Sequence, residues 1–179
     1  MSVQVIAIQA IGFFGTILFF LSYQFKSNKT LFRVQFVSYV CYTIHLLLLG
    51  AITGGMSYIL NTVRSFCLGS ENPFLKSKKM CSILCILQVA ALVVTWDGWW
   101  SIFPVAANIA ATIGGYTYSA RKIRLVGMCI NSPLWIIYDI IVGSWAGIAD
   151  EIVSEASMLL SILRYGWKNI DFAEKNSDG

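Results

Sequence analysis

Carboxylates, one histidine, amides and hydroxyls stand at helical spacing inside an otherwise apolar chain, and these are the side chains with chemistry to offer. Asp150, Glu151 and Glu155 fall within six residues of one another, in a stretch from Gly143 to Tyr165 long enough to cross a bilayer. At 100° per residue Asp150, Ser154, Ser157 and Ser161 share one stripe, with Glu151 and Glu155 on an adjoining one. A charge at the centre of a span costs about 2.5–3.5 kcal/mol on insertion scales, so this face must look into protein or water. Asp139 repeats the theme one element earlier, at i, i+4, i+8 with Asn131 and Trp135. Carboxylates in such positions bind a cation or take up and release a proton. The bland alternative is that they are protonated and bonded between helices. Asp150, nearest the helix start, is read as shallow enough to reach outer water.

The other groups carry two readings each. His45 is the sole histidine; its imidazole titrates near neutral pH, which suits a ligand donor or a proton carrier, while a neutral ring bonded to the next helix is the alternative. Thr53, Ser57, Asn61 and Arg64 recur at i, i+4, i+8 and i+11 and form one polar stripe. Asn61 donates and accepts, as a neutral polar ligand requires. Arg64 is read as reaching lipid phosphates from its helix end. Asn108 lies one turn from Pro104, and Pro133 interrupts the Asn131–Asp139 stripe, so either helix could kink there. Trp135 suits stacking on a ring or sugar face, or plain packing. The candidate substrate-binding residues are therefore His45, Ser57, Asn61, Asn108, Trp135, Asp139 and Glu151, with Asp139, Glu151 and Glu155 as candidates for proton coupling. No second histidine or cysteine at ligand spacing accompanies them, so no metal site is expected. No phosphate loop, nucleophile elbow or HExxH sequence occurs, so neither a cofactor nor an enzyme activity is expected; cooperation of His45 with Asp139 in an intramembrane enzyme ranks third.

The elements that would position these groups are helices in a bilayer. The chain is 57% hydrophobic and 12% charged, with a mean hydropathy of +0.69, against about 25% charged for soluble domains. Seven helices are expected, roughly Val3–Gln24, Leu31–Leu49, Ala51–Leu68, Met80–Trp96, Trp99–Tyr118, Leu125–Val142 and Trp145–Tyr165. The first lacks a preceding cation and is too long for a signal-peptide core, so it is read as a retained span. The five cysteines sit within apolar runs or at their ends and are read as small packing residues.

Charge placement tests the helix count independently. Lys26, Lys29 and Arg33 follow the first helix; Arg64, Lys76, Lys78 and Lys79 surround the third-to-fourth connection; Arg121, Lys122 and Arg124 follow the fifth; Arg164, Lys168 and Lys175 follow the seventh. Seven alternating spans put all 13 cations on one side, which the positive-inside rule makes the cytoplasm, with the N-terminus outside. The net charge of +4 is then matched by anionic lipid and calls for no nucleic acid.

A shift of 93 residues pairs Lys29 with Lys122, Phe25 with Tyr118, Tyr42 with Trp135, Gly50 with Gly143 and Gly54 with Gly147. Each half reads as a span, a basic turn, a span ending in glycine, a short outer turn and a polar third span. The expected fold class is an all-α membrane protein of seven transmembrane helices in a 3+1+3 arrangement of two parallel triple-helix-bundle repeats. The chain is one transmembrane domain over 1–179: a first repeat at 4–68, a connector at 80–96, a second repeat at 99–165 and a cytoplasmic tail at 166–179.

With these elements placed, the chain resembles the YgjV-type bacterial inner-membrane proteins over nearly its whole length. The resemblance rests on His45-x-x-Leu48-Leu49-Gly50, Gly54 or Gly55, Ile59-Leu60-Asn61 and Arg64, on Pro104-Val105, and on Trp135-x-Ile137, Gly143-Ser144-x-x-Gly147, Glu151, Leu159-Leu160 and Arg164. It implies a multi-pass protein of the bacterial cell inner membrane and names no substrate. The layout more loosely resembles the SWEET, PQ-loop and PnuC transporters, with Tyr23 standing where the PQ-loop segment has its proline. The expectation is a transporter of a small polar molecule, cationic or hydroxyl-rich, working by alternating access, facilitative or proton-coupled. The alternative is a membrane interaction or sensor protein whose polar stripes serve helix contacts and move nothing. The expected partners are the lipid bilayer and the small-molecule substrate, and homo-oligomer formation is left open.

Overall fold

The computed structural model describes residues 3–167, 170 and 171. Seven helical rods account for them: α1 (Val3–Ser22), α2 (Asn28–Leu48), α3 (Ile52–Gly69), α4 (Lys78–Val94), α5 (Ile102–Gly115), α6 (Ala120–Val142) and α7 (Trp145–Tyr165), with no strand among the described residues. Four starts are fixed by serine side chains that accept from exposed backbone N–H groups of the first turn. Ser27 caps α2, Ser77 caps α4, Ser119 caps α6 and Ser144 caps α7. Two glycines make the sharp turns that end α2 and α6. Gly50 and Gly143 have φ of +79° and +71°, the left-handed region that costs other residues a steric penalty.

Several boundaries differ from the sequence expectation. α4 begins at Lys78, because the Ser77 cap recruits the two lysines, and it stops at Val94 rather than Trp96. The fifth rod opens as a 3-10 turn over Trp99–Ser101 and ends at Gly115, where Tyr116, Thr117 and Tyr118 form a turn closed by the Tyr118 N–H on the Gly115 carbonyl. α6 starts at Ala120, well before Leu125. Its expected kink takes the form of a π-turn over Gly127–Asn131, in which the Ser132 N–H bonds to the Gly127 carbonyl five residues back, just ahead of Pro133.

The rods pack as a ring in the order α3, α2, α1, α7, α6, α5, with α5 returning to α3. α4 lies outside it against α5 and α3 and buries only Leu84 and Gln88. Hydrophobicity is inverted relative to a soluble bundle. Ile17, Phe14, Ile86, Val93, Val94, Ile140 and Leu163 project outward, while the buried described residues comprise 25 polar or charged against 21 hydrophobic. A polar interior with an apolar exterior is stable where the surroundings are hydrocarbon. Three rods, Gln4–Ser22, Asn28–Leu48 and Ala120–Val142, are long and apolar enough to cross a membrane by themselves; α7 misses that standard because it carries its carboxylates. The five cysteines are all free thiols.

The basic connections gather at one end of the ring. Lys29 pairs with Glu71, and that partner holds the Glu71 carboxyl below its ordinary range. Asn28 Nδ2 donates to the Tyr118 carbonyl at 3.3 Å, Lys76 Nζ stands 5.5 Å from the Tyr118 ring, and the Tyr165 hydroxyl donates to the Gln24 carbonyl at 2.9 Å. Beyond α7, two described residues pack back against the basic end. Ile170 is buried, and Asp171 accepts from Arg121 Nε at 2.6 Å and from the Arg121 N–H at 3.1 Å. Burial alone would raise the Asp171 carboxyl, but the Arg121 and Ser119 donors outweigh it and hold it below its usual range. Lys168 and Lys175, expected with the basic groups, lie outside the described residues.

Candidate functional site

The second and third helices of the second half meet with their carboxyl groups facing inward. Asp139 on α6 and Asp150 and Glu151 on α7 are only 2%, 2% and 4% exposed. That corrects the expectation that Asp150 reaches outer water; its side chain turns into the ring. Gly147, one turn ahead of Glu151, makes room for Asp139: a Cβ there would stand 2.3 Å from Asp139 Oδ2 and 2.4 Å from its Cγ. Asp139 Oδ2 and Asp150 Oδ1 have no hydrogen-bond partner, and Ser132 of α6 is the side-chain neighbour of Glu151. The ion pairs among the described residues are Lys29–Glu71 and Arg121–Asp171, both at the basic end, so no cation pairs with this cluster. Glu155, one turn further along α7, is only half-buried.

His45 sits beside the cluster, fully buried. Nδ1 is 2.9 Å from the Ile8 carbonyl and Nε2 is 3.0 Å from Ser144 Oγ, which in turn accepts from the Gly147 N–H at 3.1 Å. A neutral ring donating from Nδ1 and accepting at Nε2 satisfies both ring nitrogens, and it ties α2 to α1 and to the start of α7. Gln9 Oε1 accepting from the Ala146 N–H at 3.1 Å and Tyr138 Oη accepting from the Gly54 N–H at 2.9 Å seal the same end.

Below the carboxyls lies an amide and ring layer. Asn61 Nδ2 donates to Asn108 Oδ1 at 2.8 Å, and Trp135 Nε1 donates to the same oxygen at 3.2 Å. The arrangement brings together α3, α5 and α6 and leaves Asn61 Oδ1 and Asn108 Nδ2 without partners. The Trp135 ring packs on Tyr58 at 4.6 Å and on Tyr138 at 5.7 Å, and Tyr58 stacks on Tyr42, so its faces are occupied in this state. Ser57 on α3 and Ser154 on α7 each bury a hydroxyl oxygen without a partner.

The basic half of the interior holds what the sequence reading missed. Arg64 is 4% exposed and turns inward, so it does not reach a headgroup: Nη2 donates to the Tyr39 hydroxyl at 3.0 Å, its guanidinium lies 5.6 Å from the Tyr39 ring, and Nε and Nη1 have no acceptor. It belongs to the stripe of Thr53, Ser57 and Asn61, and that shared stripe was the available signal. Arg64 also lines a small cavity of about 30 Å³ with Tyr23, Gln35, Tyr39, Gly127 and Asn131. Neither Glu151 nor Asn61 lines it. Arg124 of α6 closes the interior toward the basic end by donating to Ser161 Oγ at 2.9 Å, the Ala120 carbonyl at 3.1 Å and the Tyr23 carbonyl at 3.2 Å.

Polar groups that line an interior sealed at both ends, within an apolar exterior, describe a multi-pass membrane protein. Comparison with known families agrees: the family model Imp-YgjV, described as a bacterial inner membrane protein, matches residues 6–169. The chain belongs to the YgjV family. No curated protein and no solved structure matches it. Within this YgjV-family protein, the residues singled out by spacing divide into two sets. Asp139, Glu151 and His45 surround the start of α7, while Asn61, Asn108, Trp135 and Ser57 form the layer beneath them.

Proposed function

We propose that this YgjV-family protein carries a small polar molecule across the inner membrane by alternating access, facilitatively or coupled to protons, and that it is a carrier rather than an enzyme. The observation that carries this reading is the run of buried, partnerless polar atoms on Ser57, Asn61, Asn108, Asp139, Asp150 and Ser154. Each such atom costs about 1–3 kcal/mol when nothing bonds to it. A purely structural bundle gains by replacing them with apolar groups, whereas a carrier needs them for water and cargo. The hydrogen bonds that tie the helices together at both ends support taking this arrangement as the closed state of the cycle.

The architecture we infer for this task is seven spans, with repeats at 4–68 and 99–165 related by an axis along the membrane normal and α4 as connector. Equivalent left-handed turns at Gly50 and Gly143 and the peripheral position of α4 support it. Collection of the basic connections at one end supports an outside N-terminus under the positive-inside rule. The fully bonded His45 favours the second reading, a protein whose polar groups only brace helices. The two are separated by comparing small polar metabolites of cells lacking the protein with cells carrying it. Transport predicts a compound whose distribution across the membrane changes several-fold and reverts on restoring the gene; unchanged profiles favour bracing.

A further inference from the structure

Arg64 is an anomaly in a protein of this kind. A buried guanidinium ordinarily sits against a carboxylate, and burying one without that pairing is expensive. Among the described residues no carboxylate comes within ion-pair distance of Arg64, and two of its nitrogen donors are unused. Arg124, the other buried arginine, has three acceptors within 3.2 Å. The unused edge of Arg64 belongs to a residue lining the central cavity, where Gln35, Asn131 and Tyr23 bring further polar groups. The cavity of about 30 Å³ holds a water or two as it stands. The π-turn of α6 supplies part of its wall through Gly127 and Asn131, and such turns are points where a helix readily rearranges.

The opposite charge lies further along the same interior. Arg64 is twelve residues into α3 and Asp150 five residues into α7, and both helices begin at the end opposite the basic loops. At a rise of about 1.5 Å per residue the two levels differ by about 10 Å. That is too far for a direct ion pair and spans the depth occupied by Ser57, Asn61 and Ser154. An interior with a cation lacking an ion-pair partner at one level and carboxyl groups lacking one at the other is complementary to a molecule bearing both charges.

Resting on the carrier reading above, we propose that the cargo is a small amino-carboxylate, its carboxylate received by the Nε and Nη1 edge of Arg64 and its ammonium group by Asp150 and Glu151. A bidentate guanidinium–carboxylate contact fits that free edge better than a contact with a point cation would. The hydroxyl and amide groups between the two levels serve the cargo backbone. This narrows the expectation of a cationic or hydroxyl-rich substrate to one with an anionic end as well.

The test is equilibrium binding to the full-length protein in lipid nanodiscs, with glycine, β-alanine and γ-aminobutyrate as zwitterions and with propylamine, propionate, putrescine and sorbitol as controls. At least one zwitterion is expected to bind ten-fold or more tightly than either single-charge control. Arg64→Gln should erase that advantage while leaving propylamine binding unchanged, and Arg64→Lys should retain part of it. Zwitterions that bind no better than propylamine and propionate, or that bind Arg64→Gln with parental affinity, overturn the proposal. Should putrescine or sorbitol bind and cross the membrane while zwitterions do not, the carrier reading survives and this proposal falls. Unchanged metabolite profiles with and without the protein contradict the carrier reading itself.

Discussion

Glu151→Gln is expected to leave the protein folded and to cut cargo flux at least ten-fold. Glu151 is 4% exposed with no cation paired to it, so its charge is a burden that hydrocarbon-enclosed protein tolerates only for a purpose. Glutamine keeps the shape and a bonding group for Ser132 while removing the ability to ionise. Stability measured by thermal unfolding in detergent should therefore stay level or rise, and flux into proteoliposomes should collapse. Glu151→Ala removes the bonding group too, and leaving its partner unsatisfied costs about 1–3 kcal/mol. If the carboxyl only braces helices, the glutamine form will transport like the parent at every pH, which defeats the role assigned to Glu151.

Gly147→Ala should be among the most damaging single-methyl additions in the protein. The new Cβ would stand 2.3 Å from Asp139 Oδ2, 2.6 Å from Oδ1 and 2.4 Å from Cγ, so the carboxyl must leave its position or α6 and α7 must separate. Overpacking of this kind costs about 1–3 kcal/mol. Gly143→Ala makes a control with a different cause: nothing lies within 4 Å of its Cβ position, yet φ of +71° imposes a backbone penalty of about 1–2 kcal/mol. Asp139→Ala empties the space against Gly147, so the double variant should recover most of the packing loss. A double-mutant cycle in unfolding free energy reads this directly. Equal damage from Gly147→Ala with and without Asp139 would show that the clash lies elsewhere.

The helices of this chain were legible because length and hydropathy carry the signal, and the glycines at 50 and 143 marked turns that do adopt positive φ. The inward faces of α3 and α7 were legible for the same reason: polar residues at helical spacing cannot all face lipid. Boundaries at Lys78 and Ala120 were missed because serine caps pulled charged residues into the helices, where hydropathy alone reads loop. Depth was the harder quantity. Arg64 lies near the end of its helix, a position from which arginine commonly reaches headgroups, and only packing against Tyr39 reveals that it points inward. Asp150 was placed in water on the same reasoning. The pairing of Asp139 with Gly147 depends on how α6 meets α7, which no local pattern encodes.

The central claim, that the sealed interior opens to each side in turn, is tested most directly by thiol accessibility. In a protein freed of Cys41, Cys67, Cys81, Cys85 and Cys129, a single cysteine replaces Ser154, whose side chain is 1% exposed with a partnerless hydroxyl, or Lys78, which is exposed at the basic end. A small membrane-impermeant thiol reagent is then applied from one face or the other. The account predicts slow but complete modification of Ser154→Cys from both faces, and rapid modification of Lys78→Cys from the cytoplasmic face alone. Ser154→Cys that stays unmodified from both faces, under conditions that exhaust Lys78→Cys, would contradict it.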